Sequence, residues 1–398
     1  MKIAGIIAEY NPFHNGHKYH IEKTRELTGA THIVAVMSSN YVQRGETSLM
    51  SKWARAEAAV KNGVDLVVEL PTLWSSSYAQ RFALGGVDLL NSLGCVDIIS
   101  FGSENGNIDE LIACRDALQS EAVDAKIKEN LESGLGYASA RAEAVGAVYG
   151  DRFFDILGGA NNTLGIEYLN SLQKTESKIK PFTVARTGAA HDSAEKSEEF
   201  ASASEIRRMI LAGDSEWERY VPQSVIEIYR RECENGLAPC TMDKLNLSVL
   251  CCMRRLSAED ISAVPDISEG IEYRIRDAAL RAQSLSDLYT AAKTRRYSHS
   301  RIRRIILHSF LGITEKNYKE KPPYAHILAM NDGGKEILRK AKETANVPVI
   351  TKASDFDELS GYGKEVFEIE NMCTDIYSLT PPEIQPCGRE KTSGIIVV

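Results

Sequence analysis

Ile3-Ala4-Gly5-Ile6-Ile7-Ala8-Glu9-Tyr10-Asn11-Pro12-Phe13-His14-Asn15-Gly16-His17-Lys18-Tyr19-His20 decides how this chain is read. The apolar run from Ile3 to Ala8 predicts a strand buried on both faces, and His17 to Leu27 predicts a helix. A strand that turns straight into a helix is the opening unit of a parallel sheet with crossover helices. The turn between them carries chemistry. Two histidines three apart at a helix start, His14 and His17, point to one face. Exposed amides and the helix dipole there favour an anion, and Gly16 leaves room for a phosphate or ribose against the backbone. Imidazoles can donate hydrogen bonds to phosphate oxygens as charge develops. The reaction that fits is attack on an α-phosphate with loss of pyrophosphate, with His14 and His17 as the catalytic pair acting by positioning and electrostatics. Two surface histidines on a turn are the plain alternative. A metal-binding pair is another, but the chain offers no partner cluster, so no protein-held metal is expected.

The same alternation continues through roughly the first 210 residues, the pattern of an α/β fold with a Rossmann-like parallel sheet. Strands are predicted at Thr31 to Met37, Asp65 to Leu70, Asp97 to Phe101 and Lys180 to Ala185; helices at Trp53 to Asn62, Phe82 to Leu93 and Ser204 to Leu211. Ligands in such folds sit beyond the carboxyl ends of the strands, where the candidate residues converge. From Pro222 the pattern turns helical. From Thr314 it becomes mixed, with Tyr324 to Met330, helical Lys335 to Thr344 and strand-like Val347-Pro348-Val349-Ile350. The expected organisation is an adenylation unit over 1–221, a helical region over 222–312 and a small mixed C-terminal unit over 313–398.

The length of 398 residues exceeds the size of a single core, so two or three packed units are expected. With 43% apolar and 26% charged residues the composition is that of a soluble protein, and without a run of ~18 apolar residues no membrane span is expected. The opening residues are too short an apolar run for a signal peptide, and Glu9 interrupts them. Eight cysteines without a CxxC pair read as reduced packing thiols of a cytoplasmic protein. The formal charge of −8 excludes an all-over basic coat but not a local basic surface. Lys293-Thr294-Arg295-Arg296-Tyr297-Ser298-His299-Ser300-Arg301-Ile302-Arg303-Arg304 is the candidate for one, with six Lys or Arg and no acid. Tyr297 and His299 could stack on a base; a solvated helix face is the plainer reading.

His14-Asn15-Gly16-His17 resembles the HxGH signature of the class I nucleotidyltransferase and aminoacyl-tRNA-synthetase superfamily. The wider stretch from Gly5 to His20 resembles the opening of the tRNA(Met) cytidine acetate ligase family. Other blocks agree: Val42-Gln43-Arg44-Gly45-Glu46, Asp65 through Glu69-Leu70-Pro71, Phe101-Gly102-Ser103-Glu104, Asn161 to Tyr168, and Lys293 to Arg304. The likeness spans nearly the whole chain. Ala160 and Ala203 depart from it; proline would be expected at the first. The resemblance implies a HUP-type nucleotidyltransferase sheet, ATP-dependent activation of acetate, and acetylation of the wobble cytidine of elongator tRNA(Met), with no protein partner. It places ATP on Ile7, Ala8, Glu9, Tyr10, Asn11, Pro12, Phe13, His14, Asn15, Gly16, His17, Lys18, Tyr19 and His20, with Gly102, Asn162 and Arg186. Superfamily practice adds Ser202, Ser204 and Arg207 for the outer phosphates, where Ser202 or Ser204 can equally be a helix cap. Magnesium is expected with the nucleotide; Glu9 and Asp192 are the acids best placed for it, since one or two carboxylates plus phosphates suffice. Lys293, Arg295, Arg296, Arg301 and Arg304 are the expected tRNA contacts. The rival activity is transfer of AMP or CMP onto a small phosphorylated metabolite, which leaves the C-terminal residues and the basic cluster without a task. A non-catalytic RNA-binding protein is a third reading, against which the intact histidine pair speaks.

Overall fold

The computed structural model describes residues 1–186, 199–294, 296–319 and 321–398. Its centre is a parallel sheet. The strands are β1 (Ile3–Ala8), β2 (His32–Ser38), β3 (Tyr41–Val42), β4 (Glu46–Thr47), β5 (Leu66–Leu70), β6 (Ile98–Ser103), β7 (Lys180–Ala185), β8 (Ala325–Met330), β9 (Val349–Ile350) and β10 (Ile396–Val397). The main sheet runs β10-β8-β5-β2-β1-β6-β7, with β9 beside β8, and β3 and β4 form a separate hairpin. From β1 the chain winds one way through β2 and β5 and the other way through β6 and β7, all in parallel pairs. The order therefore reverses between β1 and β6, and a crevice opens at their carboxyl ends.

The helices that matter to the site are α1 (Asn15–Thr28), α2 (Lys52–Lys61), α3 (Ala79–Leu93), α4 (Ala160–Lys174), α5 (Ala203–Leu211), α6 (His299–Leu311), α7 (Gly361–Tyr377) and α8 (Arg389–Thr392). Alternate residues of one strand enter different cores: Ile3, Ile7, Val34 and Val36 join one apolar cluster, and Ala4, Ile6, Ile33, Ala35 and Met37 the other. That alternation is the two-sided burial expected of continuous apolar strands. The α3 helix crosses β1 closely enough that a Cβ on Gly5 would meet Leu90 at 2.6 Å and one on Gly86 would meet Ile7 at 2.6 Å.

Residues 313–398 do not build a sheet of their own. β8 pairs antiparallel with β5, and β10 pairs with β8, so they extend the N-terminal sheet. The helical stretch 222–312 likewise adds Met253, Ile275, Ile302 and Ile306 to the cluster that holds Leu89 and Leu90. Among the described residues no helix is long and apolar enough to cross a membrane.

A buried charged knot joins early and late parts of the chain. Lys52, at the start of α2 and fully buried, contacts Glu69 of β5, Glu390 of α8 and, at 3.5 Å, Glu370 of α7. His326 Nδ1 meets the other Glu69 oxygen at 2.6 Å. Burial and the Glu69 charge push Glu370 up to about 8, so it holds its proton at neutral pH, while against burial Lys52 and His326 together hold Glu69 ionised.

Candidate active site

Between β1 and α1 the chain turns through Tyr10, whose φ of 47° is in the left-handed region that a bulky side chain rarely adopts. Strain of this kind clusters at functional sites. His14 then caps α1 with its ring. Its Nδ1 accepts the Gly16 N–H at 3.1 Å, and His17 Nδ1 accepts the His14 N–H at 3.2 Å. Each ring spends Nδ1 as an acceptor, so each neutral ring carries its proton on Nε2. The two rings stack with centroids 3.7 Å apart, and Tyr10 meets His17 edge-on at 4.9 Å.

Burial, with Arg186 and Arg207 adding to it, lowers His14 to about 3. Burial also holds His17 well below its ordinary value, followed by repulsion from His14, Arg186 and His20. Both rings are therefore neutral donors at physiological pH. Protonation would also remove the Nδ1 lone pairs that cap the helix.

A cavity of about 620 Å³ opens over the carboxyl ends of β1 and β6. Among the described residues, Arg44, Arg186, Arg207, Arg303 and Arg304 line it, with Glu9 as the one acid. In a chain of net charge −8, five guanidiniums gathered on one cavity mark a site for an anion. A narrower cleft adjoins it, shared at His14, His17, His20, Gly102, Arg186 and Ser202 and closed by Tyr19 and Phe200, whose rings meet edge-on at 6.0 Å. A flat cleft with aromatic walls beside a cationic cavity suits a nucleotide, base in one and phosphates in the other.

The profile of the HIGH Nucleotidyl Transferase family matches residues 1–391. The chain is 41% identical over 385 residues to the tRNA(Met) cytidine acetate ligase of Thermoanaerobacter sp., covering 95% of each chain. It is 35% identical over 415 residues to that of Acetivibrio thermocellus, covering 100% of both. The chain belongs to the tRNA(Met) cytidine acetate ligase family. Among solved structures it resembles Thermotoga maritima TmcAL bound with alpha-thio ATP, with a TM-score of 0.92 and 31% identity over 100% of both chains. The apo form of that protein gives a TM-score of 0.93 at 30% identity.

For this member of the ligase family, the structure gathers many of the residues singled out in the sequence on the two adjoining spaces. Ile7, Ala8, Glu9, Tyr10, Asn11, His14, Gly16, His17, Tyr19, His20, Gly102, Arg186, Ser202, Ser204 and Arg207 line the cavity or the cleft. Arg207 Nη1 donates to the Asn11 carbonyl at 2.7 Å, tying α5 to the loop after β1. Ser202 caps α5 by accepting the Glu205 N–H at 3.2 Å while still lining both spaces.

Others stand behind the walls. Phe13 packs in the core, Lys18 lies exposed near Glu22, and Asn15 Nδ2 donates to the Arg219 carbonyl at 3.1 Å. Asn162 turns inward. Its Oδ1 accepts the Glu104 N–H at 2.9 Å and its Nδ2 donates to the Ile156 carbonyl at 3.0 Å. Its neighbour Asn161 lines the cavity instead, 3.4 Å from Arg186 Nη1. Pro12 is buried on the same loop without lining either space. Ala160 and Ala203, the two departures from the family pattern, both line the cavity.

The basic segment is not remote. The start of α6 brings Ser298, His299, Ser300, Arg303 and Arg304 onto the cavity. Among the expected tRNA contacts, Lys293 is exposed and Arg295 lies outside the described residues, as does Asp192. Arg296 pairs with Glu269 and donates to the Leu131 carbonyl at 2.8 Å. Arg301 donates to the Asp266 carbonyl and to Ser268 Oγ, each at 2.8 Å, and Arg304 reaches Asp266 Oδ2 at 2.8 Å. Sequence reasoning quoted Arg44, Asn161, His299 and Arg303 within its blocks but did not place them on this cavity; their position in those blocks was the available signal.

Among the described residues, Glu69, His326 and Glu390 have ligand atoms within 4.8 Å of one another, close enough for a metal ion. Lys52 Nζ lies against both carboxylates and already supplies the positive charge there. All eight cysteines are free thiols.

Proposed function

We propose that this protein activates acetate with ATP as acetyl-adenylate and transfers the acetyl group to the exocyclic amine of the wobble cytidine of elongator tRNA(Met). The observation that carries this reading is the stacked His14–His17 pair, each Nδ1 spent on the backbone and each Nε2–H left to donate, on the wall of an arginine-lined cavity. The names of the relatives and the nucleotide analogue bound to the Thermotoga protein support the choice of substrates.

The chemistry follows from the walls. The aromatic cleft takes the adenine, and the cavity takes the triphosphate among Arg186, Arg207 and the histidines. An acetate oxygen attacks the α-phosphorus and pyrophosphate leaves. His14 and His17 donate to the phosphate oxygens as charge moves onto them, which is where preformed donors lower a barrier. Acetate needs this activation because oxide is a poor leaving group and AMP a good one. The cytidine amine then attacks the acetyl carbonyl and AMP departs.

Magnesium fits this donor set as an ion brought in on the phosphates, since among the described residues Glu9 is the one carboxylate lining the cavity. Bound there it would neutralise phosphate charge. On this reading 1–221 carries adenylation, 222–312 faces the tRNA, and 313–398 closes the sheet. Lys293 and Arg296 offer charge to the tRNA backbone, and Arg301 and Arg304 hold the segment in shape for it.

The test is incubation with ATP, labelled acetate and total tRNA, followed by digestion to nucleosides. Label in acetylcytidine from tRNA(Met) is the expected result. Efficient modification from acetyl-coenzyme A without ATP would sink the ligase reading.

A further inference from the structure

The cavity has two walls of different origin. The loop after β1 and the start of α5 make the nucleotide wall. The first turn of α6 makes the other, with Ser298, His299, Ser300 and Arg303. The β3–β4 hairpin sets the gap between them. Its Gly45, at φ 73°, approaches α6 so closely that a Cβ would stand 2.5 Å from the Arg304 nitrogen. Arg303 pairs with Glu46, Arg304 donates to the Gln43 carbonyl at 3.4 Å, and the Gln43 N–H donates to Glu9 Oε1 at 3.0 Å. A chain of contacts thus runs from the α6 wall to the end of β1.

On the ligase reading, the cavity must admit a nucleoside and supply a base. The exocyclic amine of cytidine is conjugated with its ring and is a weak nucleophile, so its proton must be taken as the new bond forms. Of the described titratable groups on the cavity, His14 and His17 use Nδ1 to cap α1, and His20 pairs with Ser100 Oγ at 3.0 Å. Burial pushes the Tyr10 and Tyr168 hydroxyls far up, so they keep their protons. Glu9 sits at the nucleotide end and is held by Gln43. His299 is exposed on the cavity wall, and among the described residues nothing hydrogen-bonds its ring. Partial burial, then Lys293 and Arg303, lower its basicity and keep it a neutral acceptor.

We propose that the first turn of α6 receives the acceptor cytidine and that His299 is the base that takes its amine proton during acetyl transfer. The amine lone pair forms the C–N bond to the acetyl carbon. The C–O bond to the adenylate breaks, its electron pair leaving on AMP. The amine proton passes to a His299 ring nitrogen and from there to solvent. This assignment rests on the ligase reading above and deepens it.

Separating the half-reactions tests it. Acetyl-adenylate is formed first from ATP and acetate, tRNA(Met) is then mixed in, and a single turnover is followed for wild type, His299→Ala and His299→Gln. Transfer is expected to fall about 100-fold in both variants, while acetate-dependent pyrophosphate exchange changes by less than about threefold. Added imidazole is expected to restore part of the transfer by His299→Ala. Transfer within about threefold of wild type, or an equal fall in both half-reactions, overturns the base assignment. A wild-type protein that forms the adenylate but modifies no tRNA overturns the ligase reading as well.

Discussion

At the scale of single residues the site depends on two imidazoles that must stay neutral. Replacing His14 or His17 by alanine removes an Nε2–H donor, and loss of one such donor typically costs about 3 kcal/mol, near a hundredfold in rate. Each variant should lose about that much acetate-dependent pyrophosphate release; unchanged release in both, beside an intact melt, rules the role out. The same rings make folding acid-sensitive. Folded His14, His20 and His308 titrate at about 3, about 4 and about 3, and His17 well below its ordinary value. The unfolded chain titrates them near 6.5, so it binds more protons than the folded chain across that window. Their contribution is complete above about 6.5 and is lost as pH falls from there to about 3. Glu370, raised to about 8, works in the opposite sense over the upper part of the window, one carboxyl against four imidazoles. The melting temperature should therefore fall from pH 6.5 to 4.5, and a flat profile would contradict the neutral-imidazole assignment.

At the scale of elements the Lys52 knot shows how distant pieces are fastened. It joins α2, β5, β8, α7 and α8 through Glu69, His326, Glu370 and Glu390 with no exposed charge. Breaking a buried charge cluster by removing one partner costs about 3–5 kcal/mol, since the remaining carboxylates lose their counter-ion. Lys52→Met should lower unfolding free energy in denaturant by that order, and a loss under about 1 kcal/mol would show that the carboxyls simply take up protons. The same elements show what was legible. β1 and β7 were read to the residue as Ile3 to Ala8 and Lys180 to Ala185. The α1 helix begins two residues before its predicted start, because its cap is a histidine ring rather than the Ser, Thr, Asp or Asn that marks a helix start in sequence. The β3–β4 hairpin and β10 went unread because two-residue strands carry no periodicity. Asn161 and Asn162 stand about 100° apart on a helix. Sequence shows that asparagines are there, but not that Asn161 lines the cavity while the Asn162 side chain turns inward to the Glu104 N–H and the Ile156 carbonyl. That 313–398 would extend the first sheet was also beyond local pattern, since the β5–β8 pairing spans most of the chain.

For the whole molecule the question is how a chain of net charge −8 holds an RNA. The basic segment is partly neutralised from within, and the arginines differ in what they have left to offer. The Arg304 side chain is 12% exposed and tied to Asp266; Arg301 is 21% exposed and shares that partner. Arg296 is 34% exposed beside Glu269, and Lys293 is exposed. A phosphate contact requires accessible charge and registers as counter-ion release, so each lost contact flattens the dependence of log affinity on log salt by about 0.7–0.9. Lys293→Gln and Arg296→Gln should each flatten the slope for tRNA(Met) by about that amount and leave the melt unchanged. Arg301→Gln and Arg304→Gln should leave the slope close to wild type but melt earlier, since each gives up one of the two guanidiniums that hold the half-buried Asp266 carboxylate. Arg304 also lines the reaction cavity, so its variant should slow acetyl transfer even where tRNA still binds. One salt series on four single variants, with pyrophosphate exchange as the control, distinguishes the two kinds of arginine. A slope flattened equally by all four would mean that tRNA opens the Asp266 pairs and that the segment acts as one continuous phosphate surface. A slope flattened by none would move the RNA face elsewhere on the molecule, and the nucleotide site would stand, because it rests on β1, α1 and α5 rather than on α6.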